Sequence, residues 1–165
     1  MNHKLFTNAA AFILLMFGAL GSGYGQSDSP DCNNQLIQGS YGFTLQGTKL
    51  GGMGPTGLQV GVAMADFDGN GSFKQIDTVT IAGTVVADFT HTAANGAYTV
   101  NSDCTGTFTI TFTDGRPPVT TSFVVVEDGK EIDTVVTGVG PNQTQGILAT
   151  GSVGKRRSHR HGWGQ

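Results

Sequence analysis

Between Thr107 and Thr113 the chain alternates without a break: threonine at 107, 109, 111 and 113, with Phe108, Ile110 and Phe112 between them. Successive side chains of a strand leave on opposite faces, so a strand buries one side of this segment and wets the other. A helix would scatter the same apolar residues around its circumference. Tyr41-Gly42-Phe43-Thr44-Leu45-Gln46 repeats the pattern, and Leu58, Val60, Val62 and Met64 share one parity in the run between them. Asp68-Gly69-Asn70-Gly71, Asn95-Gly96, Asp103-Cys104-Thr105-Gly106, Asp114-Gly115 and Asp128-Gly129 punctuate these runs. Such pairs accept positive φ, which two-residue hairpin turns demand.

Reading between the turns predicts an all-β chain of about eight strands, near 39–47, 57–67, 72–82, 96–102, 106–113, 119–126, 130–138 and 145–152. Residues 83–95 either extend the third strand or form another. An antiparallel meander of this kind has two exposed edges unless it curls shut or stacks as two sheets. Eight strands suit a closed or nearly closed barrel, and a β-sandwich is the alternative. The residues expected inside are Tyr41, Phe43, Leu45, Val60, Val62, Met64, Tyr98, Phe108, Ile110, Phe112, Phe123, Val125, Ile147 and Ala149.

The ends differ from the body. Ala9 to Leu20 is an unbroken apolar run, preceded by Lys4 and followed by Gly21, Ser22, Gly23 and Gly25. That order is the pattern of a secretory signal peptide over residues 1–25. Twelve apolar residues make a helix of about 18 Å, well short of a hydrocarbon core of about 30 Å. The rest divides into one domain, 26–153, and a basic tail, 154–165, expected to be disordered. Twelve acids face four bases between Gln26 and Gly154, a balance of −8. An acidic domain argues against nucleic acid as the partner of its folded surface. The tail, with Lys155, Arg156, Arg157 and Arg160, is suited to anionic surfaces. Cys32 and Cys104 both fall in the mature part of an exported chain, secreted or periplasmic, where a disulfide is the expected state.

Three blocks carry a resemblance. Leu36-Ile37-Gln38-Gly39-Ser40-Tyr41-Gly42-Phe43, Phe67-Asp68-Gly69-Asn70-Gly71 and Gly96-Ala97-Tyr98-Thr99-Val100-Asn101-Ser102-Asp103-Cys104-Thr105-Gly106 resemble a group of small exported bacterial proteins. These are similar in architecture to the allene oxide cyclase barrel, an eight-stranded relative of the calycins. The resemblance spans roughly Cys32 to Ser152 and implies a barrel, with a bridge from the N-terminal segment to the 103–106 turn. It transfers no cyclase activity, because no catalytic position of the plant cyclases maps onto this chain, and a fold hosts unrelated functions.

Candidate chemistry is sparse. Asp66, Asp68, Asn70 and Gly71 fall at the places of a calcium loop, with Asp77 where the closing glutamate belongs. Lys74 stands at the ninth position and the flanks alternate like strands, so the favoured reading is a hairpin turn with no metal. His91 would serve as a general base if it lined a cavity, but a lone histidine among threonines reads as a surface residue. His159-Arg160-His161 is a poor cation site beside its own arginines. Ser40, Ser72, Ser102 and Ser122 lack the Gly-x-Ser-x-Gly turn of an activated nucleophile. Glu127, Asp128, Glu131 and Asp133 gather about one hairpin, where charges keep a sheet edge soluble. Asn70-Gly71-Ser72 and Asn142-Gln143-Thr144 fit the glycosylation pattern, relevant only in a eukaryotic secretory route.

With no catalytic residue, ligand-binding residue or cofactor assignable, the sequence favours a non-catalytic binding module for a small apolar ligand. The apolar inner face and the shortage of ionisable groups expected there are its warrant. The alternatives are a cyclase-type enzyme with an apolar barrel site and a structural or surface-interaction protein.

Overall fold

Each alternating run forms a strand, and eight of the strands close a ring. A computed structural model describes residues 31–52, 54–89, 93–140 and 148–158. The strands are β1 (Gly39–Lys49), β2 (Gly57–Phe67), β3 (Ser72–Ile81), β4 (Thr84–Ala87), β5 (Ala93–Val100), β6 (Thr105–Phe112), β7 (Val119–Val126), β8 (Glu131–Val139) and β9 (Leu148–Arg156). Neighbours pair antiparallel in the order β2-β1-β9-β8-β7-β6-β5-β3, and β2 pairs back to β3 to close the barrel. Closure removes both edges, which decides between barrel and sandwich. The short β4, in the segment that periodicity left ambiguous, pairs with Val79–Ile81 of β3, beyond the Ser72–Ile76 stretch that pairs with β5. Among the described residues no helix is long and apolar enough to cross a membrane. The apolar run at 9–20 and Ile147 lie outside the described residues.

Most of the expected interior faces inward. Tyr41, Phe43, Tyr98, Phe108, Phe123 and Val125 are buried; Leu45, Ile110 and Phe112 are half-buried. Two assignments of face are corrected. Val60 and Val62 are 42% and 45% exposed, Leu58 more so, and Met64 is half-buried. In their place Gln59, Ala65 and Phe67 are buried. β2 carries apolar residues on both faces, so its alternation alone could not choose between them. Phe67 chooses: its ring meets Phe73, Tyr98 and Tyr41 at 5.2, 5.1 and 5.5 Å between centroids, and turning it in fixes every second residue back to Gln59. Ala149 is exposed and Thr150 is 2% exposed. Here the parity follows Gly154, which pairs with Phe43 across β1 and β9 and is covered by its ring.

That pairing is one of three. Phe73 faces Gly96, Phe123 faces Gly106 and Phe43 faces Gly154 in direct cross-strand register. A Cβ on any of these glycines would lie 2.0–2.2 Å from the ring opposite. Each phenylalanine thus lies flat across its neighbour strand. A ring laid on a glycine lines the wall without filling the lumen, so an eight-stranded barrel, ordinarily just filled by its side chains, keeps free space.

One end of the barrel is plugged. Residues 31–38, including a 3-10 turn at Asn34–Ile37, cross it and bury Ile37 completely. Cys32 stands at disulfide distance from Cys104, their Cα atoms 5.0 Å apart. The Val100 N–H donates to Asn34 Oδ1 at 2.8 Å, and Tyr98 Oη donates to the Asn34 carbonyl while accepting from the Gly69 N–H at 2.9 Å. Tyr41 Oη donates to the Gly129 carbonyl and accepts from Arg156 Nε and Nη2 at 3.0 and 2.7 Å. Arg156 Nη2 also reaches the Leu36 carbonyl. Burial, partly offset by Arg156, holds the Tyr41 hydroxyl above its ordinary pKa. β9 therefore runs to Arg156, past the boundary that the sequence placed at 153. Lys155, read there as the start of a disordered tail, instead pairs with Glu131 at 3.0 Å.

Candidate functional site

The phenylalanines that floor the plugged end also floor a cavity of about 630 Å³ in the other half of the barrel. Inward-facing residues of the strands form its walls, and Lys49, Gly52, Gly54 and Pro55, with residues 114–117, form its rim. Phe43, Phe67, Phe73, Phe108, Val79 and Ile110 supply most of the apolar lining. The strands that cross it carry small side chains where space is needed: Ala63 and Ala65 on β2 stand opposite Asp77 and Gln75 on β3. The volume lies in the range that holds a drug-sized molecule.

The lining is more polar than the sequence suggested. Thr150 Oγ1 donates to Gln59 Oε1 at 3.2 Å on one wall, and Thr134 and Ser152 share a hydrogen bond of 2.6 Å beside it. The cavity wall also carries an ionisable group. Asp77 is buried, its Oδ2 accepting from Gln75 Nε2 at 3.3 Å. Its Oδ1 lies 3.8 Å from Arg116 Nη2. Arg116 comes from the β6–β7 connection, where its Nε donates to Asp114 Oδ2 at 2.8 Å and its guanidinium lies 3.9 Å from the centre of the Phe112 ring. A guanidinium so placed gains from the face of the ring as well as from the carboxylate. Asp77 Oδ1 and Arg116 Nη2 are buried atoms with no hydrogen-bond partner among the described residues. Desolvation raises the Asp77 pKa from its ordinary value, Arg116 and Gln75 oppose the rise, and Asp114 adds to it.

In the sequence Asp77 falls where the closing glutamate of a calcium loop would stand, although the favoured reading there is a hairpin turn. The structure separates it from the other members. Asp68 shapes the β2–β3 turn, its Oδ1 accepting from the Asn70 and Ser72 N–H groups at 2.7 and 2.9 Å. Those bonds hold its carboxyl below the ordinary value. Asp66 is turned outward, accepting from Ser40 Oγ, and is paired across the strands with Lys74. Asp77 lies five residues further along β3 than Ser72, on the inner face, and joins neither. Among the described residues no three His, Cys, Asp or Glu side chains gather as a metal site. His91, His159 and His161 lie outside the described residues. Glu127 and Asp128 are exposed at the β7–β8 turn, with φ of 51° and 55°.

Sequence reasoning missed Asp77 and Arg116 as cavity residues. A signal was present: Phe73, Gln75, Asp77, Val79 and Ile81 share one parity, so the inward turn of Phe73 takes Asp77 with it. Arg116 had none, because a rim loop has no period to read. The three blocks of the resemblance meet at the plugged end, where Gln38 Nε2 donates to the Asp68 carbonyl and the Gly69 N–H donates to Tyr98 Oη. They describe that end and not the cavity. No known protein family, curated protein or solved structure matches the chain.

Proposed function

We propose that this chain is an exported, non-catalytic binding protein that holds a small, mainly apolar molecule in its barrel. The observation that carries the reading is the cavity of about 630 Å³ floored by phenylalanine rings. A protein whose barrel served only as a scaffold would gain stability by filling such a space, since unfilled volume forfeits packing. Export is supported by the order of charged, apolar and small residues over 1–25 and by a cysteine pair at bridging distance.

The neutral dye N-phenyl-1-naphthylamine, which brightens in apolar surroundings, tests the reading. Purified protein is expected to bind about one dye per chain. Val136→Trp, which places an indole in the cavity wall, is expected to abolish that binding while leaving the far-ultraviolet circular dichroism of the strands intact. An unchanged dye signal on adding wild-type protein would sink the proposal. The cyclase-type alternative draws on one observation, the buried Asp77 carboxyl as an acid–base group. Chemical conversion of a bound molecule by the wild type, and not by Asp77→Asn, would move the reading there.

A further inference from the structure

The cavity has one place where a ligand's polar group is called for, and its chemistry limits what that group can be. This step rests on the cavity being a ligand site. The Asp77 side chain is 7% exposed, and its Oδ1 and Arg116 Nη2 have no hydrogen-bond partners among the described residues. Their separation of 3.8 Å is too long for a hydrogen bond between them and short enough for one small group to touch both. Neither partner is free to swing away. Gln75 holds the other carboxylate oxygen, while Asp114 and the Phe112 ring hold the guanidinium.

The group that fits must give a hydrogen bond to an oxygen and take one from a nitrogen. A carboxylate can accept but not donate and an ammonium can donate but not accept, so either would leave one of the two atoms unmet and bring an extra charge into a site walled largely by hydrocarbon. An ether or ester can accept but not donate, and would leave Oδ1 unsatisfied. A hydroxyl or an amide does both. The aromatic floor beside the pair offers its bearer an apolar bed.

We propose that the cavity selects uncharged amphiphiles, with a hydroxyl or amide head donating to Asp77 Oδ1 and accepting from Arg116 Nη2, and an apolar body against Phe67, Phe73 and Phe108. Sites built to bond a ligand hydroxyl reject analogues that lack it, because the buried partner is then stranded.

Displacement of bound N-phenyl-1-naphthylamine by a ten-carbon series tests this: decanol, decanamide, decanoate, decylammonium and nonyl methyl ether, the last an isomer of decanol without a donor. Decanol and decanamide are expected to displace the dye at concentrations at least about tenfold lower than the other three. In Asp77→Leu, and in Arg116→Met, the advantage of decanol over the ether, each measured against that variant's own dye affinity, is expected to fall to within about twofold. Equal displacement by decanol and the ether in wild type, tighter binding of decanoate, or a decanol preference that survives Asp77→Leu would each overturn the assignment of the head group. The cavity would remain a binding site in all three cases. Failure of the dye to bind wild type would overturn the cavity reading itself.

Discussion

The two ends of the barrel use polar groups in opposite ways. At the plugged end the Tyr41 hydroxyl meets a carbonyl and a guanidinium, Tyr98 ties Gly69 to Asn34, and Arg156 reaches the Leu36 carbonyl. In the cavity half Asp77 and Arg116 each keep a buried polar atom without a hydrogen-bond partner among the described residues. Buried polar groups normally find hydrogen bonds, and an unmet one lowers stability. One end is therefore organised to hold the fold together, and the other accepts a local loss that a bound molecule would remove. On the proposed reading, stability and recognition are separated along the barrel axis.

The largest test of that separation is the cysteine pair. The bridge closes a loop between residues 72 apart in sequence, so Cys32→Ala with Cys104→Ala is expected to lower the unfolding free energy by about 4 kcal/mol. Denaturant titration gives that loss. Dye affinity, measured well below the midpoint, should stay within about twofold if the ends are independent. A parallel collapse of affinity would show one cooperative unit instead.

Next in size is Gly96→Ala, at the boundary between the halves. The added methyl would stand 2.0 Å from the Phe73 ring and 2.6 Å from the Thr109 carbonyl oxygen. Overpacking of this kind costs about 1–3 kcal/mol. Because the displaced ring floors the cavity, affinity for the dye should change as well, which distinguishes this site from the bridge. Gly42→Ala, where nothing lies within 4 Å of the new Cβ, is the control expected to do neither.

The smallest effect has the opposite sign. Asp77→Leu removes a carboxylate whose charged form burial disfavours, and, with Arg116 still held by Asp114, is expected to stabilise the protein slightly at neutral pH. The groups facing Asp77 are Arg116, Gln75 and Asp114, and the net result of burial among them is a raised pKa. The folded state therefore holds the Asp77 proton over a pH range in which the unfolded chain has lost it. Wild-type stability falls as pH rises through that range and stays lower above it. The advantage of Asp77→Leu should accordingly be present above the raised value, shrink as pH falls from there to the ordinary aspartate value of 3.8, and lose its pH-dependent part below it. Thermal unfolding of both proteins across that range gives the comparison, and an advantage that grows in acid would contradict it.

How much was legible in the sequence differs from strand to strand. In β6 the alternation of threonine with Phe108, Ile110 and Phe112 named the inner face correctly, because only one face was apolar. In β2 both faces were apolar, and the larger residues at 58, 60 and 62 proved to be the outer ones. The inner face held small alanines, which periodicity weighs lightly but which leave room opposite Gln75 and Asp77. In β9 the weak pattern put Ala149 on the inner face, and the ring of Phe43 over Gly154 shows that Thr150 turns in instead. The acidic and basic residues around 127–133 and 155–156 read as separate features, whereas Lys155 pairs with Glu131 across β8 and β9.

By itself the sequence determined that the chain is all-β and that its strands run in consecutive hairpins, because alternation and turn chemistry are local properties that nearby residues write in full. The tertiary structure alone decided which face of an ambiguous strand turns in, where rings lie on glycines to keep the lumen open, and that Asp77 and Arg116 meet across it. Those outcomes depend on register between segments far apart in the chain. Register is fixed by the packing of whole side chains against one another, and no single run of residues contains that information.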